Sequence, residues 1–494
     1  MSSGGGEAVA VADTAPHFVL VPMMAAGHAG PMLDMARALA GRGALVTFVT
    51  TPLNLPRLGR AAAGDAALPI RFLPLRFPCA EAGLPDGCES LDALPGLALL
   101  KNFNDACAML RAPLVARLRD AAAAGATPPA SCVVSDACHP WTGAAARELG
   151  VPRLAFDGFC AFSSFCMHLM NLHKIFDGVD DDRRPVRVPG FPIDVEISRA
   201  RSPGNFTGPG MKEFGEEIMV ESLRADGMVV NSFAELEPLF LDAYAAAIGK
   251  KIWTIGPLFL TATPASTATT EDAIAVRCAG WLESKKPRSV VLVSFGSLVR
   301  SLLPQLAEIA RGLEAANRPF IWVVKPAGDL AGFERWLAED GLEARVGERG
   351  LVVRGWAPQT AILSHPAAGA FVTHCGWNSV VECVAAGLPM ATWPHFAEQF
   401  LNEKLVVDVL RVGVAVGVTD AAQWGVETEA VAATSADVER AVAAVMDGGE
   451  EGAARRARAA ELGRKAREAV NGGSSYRNVA LLVQHVEQQR KSTA

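Results

Sequence analysis

The chain of 494 residues carries 46 Lys and Arg against 53 Asp and Glu, a formal net charge of -7, and half of its residues are hydrophobic. At roughly 150 residues per domain, this length predicts two substantial domains and excludes a peptide-sized module. The acidic balance excludes the basic footprint of a nucleic-acid binder. Ten cysteines, with no Cys-x-x-Cys pair and no regular spacing, point to neither a zinc ribbon nor a disulfide scaffold, so free thiols in a reducing compartment are expected. Residues 1–15 are small and polar and read as a disordered tail rather than a signal peptide. No apolar run reaches the ~18 residues of a membrane helix, so no membrane span and a cytoplasmic location are expected. Without an export signal, the glycosylation triplet Asn205-Phe206-Thr207 carries little weight.

His17 to Val21 is an apolar run that breaks at Pro22 into the small-residue turn Ala25-Ala26-Gly27-His28-Ala29-Gly30-Pro31. Pro31 suits the first turn of a helix, which runs through Leu33 and Leu39 to Gly41 and Gly43, and a β-branched strand resumes over Ala44 to Thr50. The same alternation recurs at Cys132 to Ser135, Trp141 to Leu149 and Arg153 to Phe156, predicting a parallel sheet with helices on both faces. Phe156, Phe159, Phe162 and Phe165 recur every three residues, either as a buried helix stripe or as the wall of an apolar pocket. Asp180-Asp181-Asp182, though it contains an Asp-x-Asp pattern used elsewhere to hold a metal, sits in a polar stretch and reads as a surface loop. Thr261 to Thr270 has no periodicity and marks a linker. A second alternation follows, with strand Val290 to Phe295, helix Pro304 to Asn317 and strand Phe320 to Val324. The basic run from Arg455 to Arg467 is interleaved with Glu461 and reads as a solvated helix face. A last helix after Gly472-Gly473, with Val479, Leu482, Val483 and Val486 at helical spacing, must pack against something. The predicted fold is α/β with two doubly wound, Rossmann-like domains: 16–255, a linker at 256–280, 281–472, and a terminal helix at 473–494 that could return to the first domain.

The stretch most informative about function runs from Trp356 to Gln399. It contains Trp356-Ala357-Pro358-Gln359, His365-Pro366, Thr373-His374-Cys375-Gly376-Trp377-Asn378-Ser379, Glu382 and Glu398-Gln399. Ala370 to Thr373 is a short strand and Asn378 opens a helix that stops at Gly387 and Pro389. A helix that starts at a strand end points free N–H groups and a positive dipole end outward, which suits a phosphate. Asn378 and Ser379 add polar groups there, His374 can add a donor or a positive charge, and Gly376 permits close backbone approach. Cys375 and Cys383 read as packing residues.

These 44 residues resemble, in length and register, the plant secondary product glycosyltransferase box of family 1 UDP-dependent glycosyltransferases. Further similarity lies at Gly27-His28-Ala29-Gly30-Pro31, Val229-Val230-Asn231-Ser232-Phe233 and Val293-Ser294-Phe295-Gly296-Ser297. The resemblance implies the GT-B fold, with the donor bound by the C-terminal domain, the acceptor by the N-terminal one and a cleft between them. It implies that Trp356 stacks on uracil with Ala357 and Gln359 near the base, and that Glu382 accepts bonds from the ribose, as suits an acceptor-only carboxylate. His374, Asn378, Ser379 and Ser297 would hold the diphosphate, and Trp377, Glu398 and Gln399 the sugar. The final Gln is typical of glucose users. Relatives often have Ser or Thr where this chain has Asp157-Gly158, which bears on sugar preference.

Transfer to a neutral hydroxyl needs a base, and histidine, with a reference pKa of about 6.5, is suited to it. His28 is the candidate, with Asp136, which matches the family's catalytic Asp, fixing its tautomer. His139 is the near alternative, read instead as packing or solvent-facing. The expected reaction is inverting transfer of a sugar, glucose by preference, from a UDP-sugar co-substrate to a small lipophilic acceptor, without metal or further cofactor. A flavonoid or other phenolic is the leading acceptor class and a terpenoid, steroid or hormone the alternative, with Phe156 and Phe159 lining its pocket. A non-catalytic nucleotide-sugar-binding protein is the reading from another class. A monomer is expected.

Overall fold

The computed structural model describes residues 15–62, 64–203, 210–261, 270–325, 330–422 and 428–493. The predicted tail up to residue 14, the 205–207 triplet and the centre of the expected linker, 262–269, lie outside the described residues. Seven strands, β1 (His17–Val21), β2 (Leu45–Thr50), β3 (Ile70–Pro74), β4 (Cys132–Asp136), β5 (Arg153–Asp157), β6 (Gly227–Val230) and β7 (Ile252–Thr254), form one sheet in the order β3-β2-β1-β4-β5-β6-β7. Six more, β8 (Val290–Ser294), β9 (Phe320–Val324), β10 (Gly350–Arg354), β11 (Ala368–Thr373), β12 (Met390–Thr392) and β13 (Gly413–Ala415), form a second in the order β10-β9-β8-β11-β12-β13. Every pairing in both sheets is parallel. The helices that matter for the site are α1 (Ala26–Ala40), α2 (Trp141–Leu149), α3 (Ala161–Leu172), α4 (Leu303–Ala315), α5 (Trp377–Ala386) and α6 (Ser474–Thr493).

Strands covered on both faces need apolar side chains on both, and β1 is buried along its whole length. Phe18 and Leu20 pack on one face with Met32 and Leu33 of α1, while Val19 and Val21 pack on the other with Trp141 and Ala145 of α2. The chain is thus folded into two doubly wound α/β units. In each sheet the strand order reverses once, between β1 and β4 (Val21 opposite Ser135) and between β8 and β11 (Ser294 opposite Thr373). Ligands of such sheets sit outside the carboxyl ends of the strands at the reversal. Asp136 ends β4 itself, and the segments leaving β1, β8 and β11 carry His28, Ser297 and His374.

The terminal helix α6 lies on the first sheet. Val479, Leu482, Val483 and Val486 share its core with Trp253 and Leu258, and Asn478 Nδ2 donates to the Thr254 carbonyl at 2.9 Å. Leu482 is completely buried, so Leu482→Ala is expected to cost ~2–5 kcal/mol, read as a lowered midpoint in urea denaturation.

Three local expectations are corrected. Helix α1 begins at Ala26, which puts His28 in its first turn and Pro31 inside it. The phenylalanine period crosses a strand end and a helix start, so the four rings share no face. Phe156 of β5 is fully packed in the first sheet's core and cannot line an acceptor pocket. Phe162 and Phe165 pack on Phe191, with ring centroids 5.0 and 5.3 Å away. In the basic run Arg464 pairs with Glu461 and Glu468 at the surface, as expected, but Arg455 is buried and donates to the Ala444 carbonyl at 2.9 Å. Asp182 pairs with Arg199 at 2.7 Å in the predicted surface stretch. Among the described residues, no His, Cys, Asp and Glu are grouped to hold a metal, and no helix is long and apolar enough to cross a membrane. All ten cysteines are free.

Candidate active site

Residue His28 stands where β1 turns into α1, and Asp136 ends the neighbouring strand β4. Their side chains meet, with His28 Nδ1 2.7 Å from Asp136 Oδ2. The carboxylate is almost fully buried, and its other oxygen accepts the Cys138 N–H at 2.9 Å. Because an ionised carboxylate only accepts, it fixes the proton on Nδ1 and leaves Nε2 as an acceptor. Among the described residues nothing bonds Nε2, and the imidazole is 30% exposed, so that nitrogen can take a proton from a ligand. Burial works against charge on His28, but Asp136, with Glu398 and Asp92 farther off, outweighs it and raises the pKa above the ordinary histidine value. Burial would likewise raise Asp136, yet His28, His139 and the Cys138 N–H hold it down to about 2. His139 is buried, bonds the Pro22 carbonyl at 3.0 Å and stays neutral because burial lowers its pKa.

On the facing domain, α5 starts at Trp377 with Gly376 as its N-cap and no side chain satisfying its first N–H groups, which leaves an anion-binding helix end. His374 is wedged between two glycines. A Cβ on Gly296 would lie 2.6 Å from its Cε1, and one on Gly376 would lie 2.4 Å from its Nε2. Burial, with His395 and Lys325 adding to it, pushes the His374 pKa down to about 3, so it supplies a neutral group rather than a positive charge. Its Nδ1 is buried with no hydrogen-bond partner among the described residues, an arrangement a bound ligand would satisfy. Ser297 is exposed on the turn after β8. Trp356, on the loop after β10, is 44% exposed and presents an open ring, with Ala357 half-buried beside it. Gln359 Nε2 donates to Ser379 Oγ (3.0 Å) and to Glu382 Oε2 (2.9 Å), tying the three together. Burial raises Glu382 to about 6 against the pull of its Gln359 and Thr360 bonds.

Glu398 and Gln399 sit at the start of the short helix Gln399–Lys404. Gln399 Oε1 accepts the N–H groups of His395 (2.8 Å) and Phe396 (3.2 Å), which aims its NH₂ group as the free donor. Burial raises Glu398 to about 7.

The two halves touch at the site. Asn378 Nδ2 donates to the Gly27 carbonyl at 2.6 Å, which is free because Pro31, four residues on, has no N–H to offer it. Trp377 Nε1 donates to the Asn231 carbonyl at 2.8 Å, and the ring is buried. The indole N–H is therefore spent between domains. Asp157 is buried too, accepting from the Ser164 hydroxyl and from the Phe159 N–H at 3.1 Å, whereas Phe159 itself is half-buried. The sequence reading missed Asp92, whose Oδ2 accepts the Ala26 N–H at 2.7 Å and so steadies the turn bearing His28. It also missed Lys325, whose ammonium donates to the Gly296 carbonyl at 3.1 Å beside His374. An isolated Asp in a single 3-10 turn and a Lys after a strand carry no local signal.

The chain as a whole is similar to known proteins. Residues 16–260 match the family model "Glycosyltransferase, N-terminal domain" and residues 265–452 match "UDP-glucoronosyl and UDP-glucosyl transferase". UDP-glycosyltransferase 73E1 of Stevia rebaudiana is 42% identical over 485 residues, covering 95% of this chain and 96% of the relative. The chain belongs to the UDP-glycosyltransferase family. The fold of this UDP-glycosyltransferase is correspondingly GT-B. Glycyrrhiza uralensis UGT73P12, solved with glycyrrhetinic acid 3-O-monoglucuronide, superposes with a TM-score of 0.86 at 34% identity, covering 97% of both chains. Arabidopsis thaliana UGT89C1, solved with quercetin, gives 0.71 at 30% identity, covering 96% of this chain and 99% of that one.

Proposed function

We propose that this UDP-glycosyltransferase moves glucose from UDP-glucose to a hydroxyl of a small lipophilic acceptor, with inversion, His28 acting as general base and Asp136 as its partner. The observation that carries the reading is the 2.7 Å His28–Asp136 bond at the strand reversal, with Nε2 left open. The acceptor hydroxyl gives its proton to Nε2 as its oxygen attacks the anomeric carbon, and Asp136 stabilises the imidazolium that forms. The bond from the anomeric carbon to the diphosphate breaks on the opposite side, and UDP leaves toward the α5 N-terminus, where the N–H groups, neutral His374, Asn378 and Ser297 meet its charge.

Trp356 offers its exposed face to uracil, with Ala357 and Gln359 at the base edge and Glu382 on the ribose. Ser379, engaged by Gln359, supports that end. Glu398 and the Gln399 NH₂ group hold the sugar hydroxyls, and the polar donor at Gln399 supports glucose. UGT73P12 with its glycyrrhetinic acid derivative and UGT89C1 with quercetin support an acceptor of flavonoid or terpenoid type, met by Phe159 among the N-terminal loops. The ten free thiols suit a cytoplasmic enzyme, and we infer a monomer that needs no cofactor beyond the UDP-sugar.

Mass spectrometry of products from phenolic, terpenoid and hormone acceptors, each offered several UDP-sugars, tests the assignment. Glucosides of at least one class are expected. UDP-glucose binding with no product from any acceptor contradicts it. In addition, Gly376→Ala is expected to push His374 aside and weaken UDP binding roughly ten- to hundredfold, the worth of a hydrogen bond to a charged group. Titration calorimetry with UDP reads this directly.

A further inference from the structure

Residue Asn402 lies outside the 356–399 stretch, on the short helix Gln399–Lys404, and is completely buried. Its amide is saturated by four partners. Oδ1 accepts from Ser163 Oγ at 2.7 Å and from Cys160 Sγ at 3.4 Å, both at the start of α3 in the first domain. Nδ2 donates to the Cys375 carbonyl at 2.8 Å and to Glu398 Oε1 at 3.1 Å, both in the second. A backbone carbonyl can only accept, so the Cys375 partner fixes which way the amide faces.

Of the two groups held by Nδ2, the Cys375 carbonyl belongs to unusual backbone and the Glu398 carboxylate directly follows a second such turn. Cys375 has a φ of 63° and Ala397, just before Glu398, a φ of 54°, left-handed conformations that a residue with a side chain adopts only when its surroundings hold it there. One turn sets His374 and Gly376, and the other sets Glu398 and Gln399. Ser163 is fully buried in the opposing domain, so its hydroxyl reaches Asn402 only when the domains are docked.

We propose that Asn402 is a positioning residue that ties the acceptor-side domain to the sugar end of the donor site, so that docking of the two domains sets the grip on the transferred sugar. This rests on the assignment of Glu398 to the sugar. Ser163 touches neither the His28–Asp136 pair nor the helix end of α5, and that makes it the sharper probe.

The test measures the KM for UDP-glucose, the inhibition constant of UDP and the acceptor KM in the full-length enzyme carrying Ser163→Ala, Asn402→Ala or Glu398→Gln. Ser163→Ala is expected to raise the UDP-glucose KM about three- to tenfold, the worth of one hydrogen bond, with the UDP and acceptor constants unchanged. Asn402→Ala should do the same more strongly if it folds; Ser163→Ala, which removes one hydroxyl, decides the matter if it does not. An unchanged UDP-glucose KM in Ser163→Ala, or a UDP constant that rises in step with it, overturns the proposal. Glu398→Gln keeps the assignments apart. A raised KM there with none in Ser163→Ala overturns only the coupling, whereas an unchanged KM in Glu398→Gln overturns the sugar assignment and this proposal with it.

Discussion

His28→Ala is expected to lower kcat by roughly 10²–10⁴-fold, the usual contribution of a positioned base, while the protein still binds UDP-glucose. The separation follows from the architecture. His28 lies in the first turn of α1, just after β1 in the first domain, while the groups assigned to the nucleotide lie on the loops after β8, β10 and β11 in the second and on the helices that the last two of these enter. Removing the imidazole leaves Asp136 buried without its partner, and a buried charge stripped of its partner destabilises. His28→Gln, which can keep an N–H toward the carboxylate, is therefore made alongside, with UDP-glucose binding as the check on folding. A folded His28→Ala protein with near-normal kcat would sink the assignment of the base.

Asp136→Asn is the second large effect, and its signature is in the pH profile. A base works only when unprotonated. With its pKa raised by Asp136, His28 should give a wild-type kcat/KM that climbs with pH through a midpoint above the ordinary histidine value of about 6.5. The Asp136→Asn substitution removes the charge that raises this pKa and leaves the burial that lowers it, so the acidic limb should move to lower pH. The plateau should still fall, by roughly 10²–10⁴-fold, because an amide neither fixes the Nδ1 proton as firmly nor stabilises the imidazolium. An acidic limb that stays in place would mean that some other group titrates in the profile.

Both domains were legible in the sequence because parallel strands buried on both faces must be written as short apolar runs, such as His17–Val21 and Val290–Ser294. The donor-side residues were legible for a different reason: a strand, a turn and a helix start from one contiguous stretch bring His374, Asn378 and Ser379 to one end. The pairing of His28 with Asp136 could be expected because one follows a strand and the other closes a strand, and because Asp136 matches the family's catalytic Asp. What could not be read depends on how the domains dock. The indole N–H of Trp377 is used by the Asn231 carbonyl, 146 residues away in sequence, which no local pattern announces. The spacing of Phe156 to Phe165 suggested one face, but a strand end and a turn intervene. The Asn402–Ser163 bond spans 239 residues and has no local signal at all. Pro31 shows the same limit in reverse, because its missing N–H matters only once Asn378 arrives to use the freed carbonyl.

The proposed reaction is a single displacement in which the hydroxyl, deprotonated by His28, attacks the anomeric carbon from the side opposite UDP. Proton NMR of the purified glucoside tests it most directly. The donor sugar is α-linked to UDP, so one in-line displacement predicts a β-glucoside as the initial product. An α-glucoside as that product would contradict a single displacement and the role given to His28.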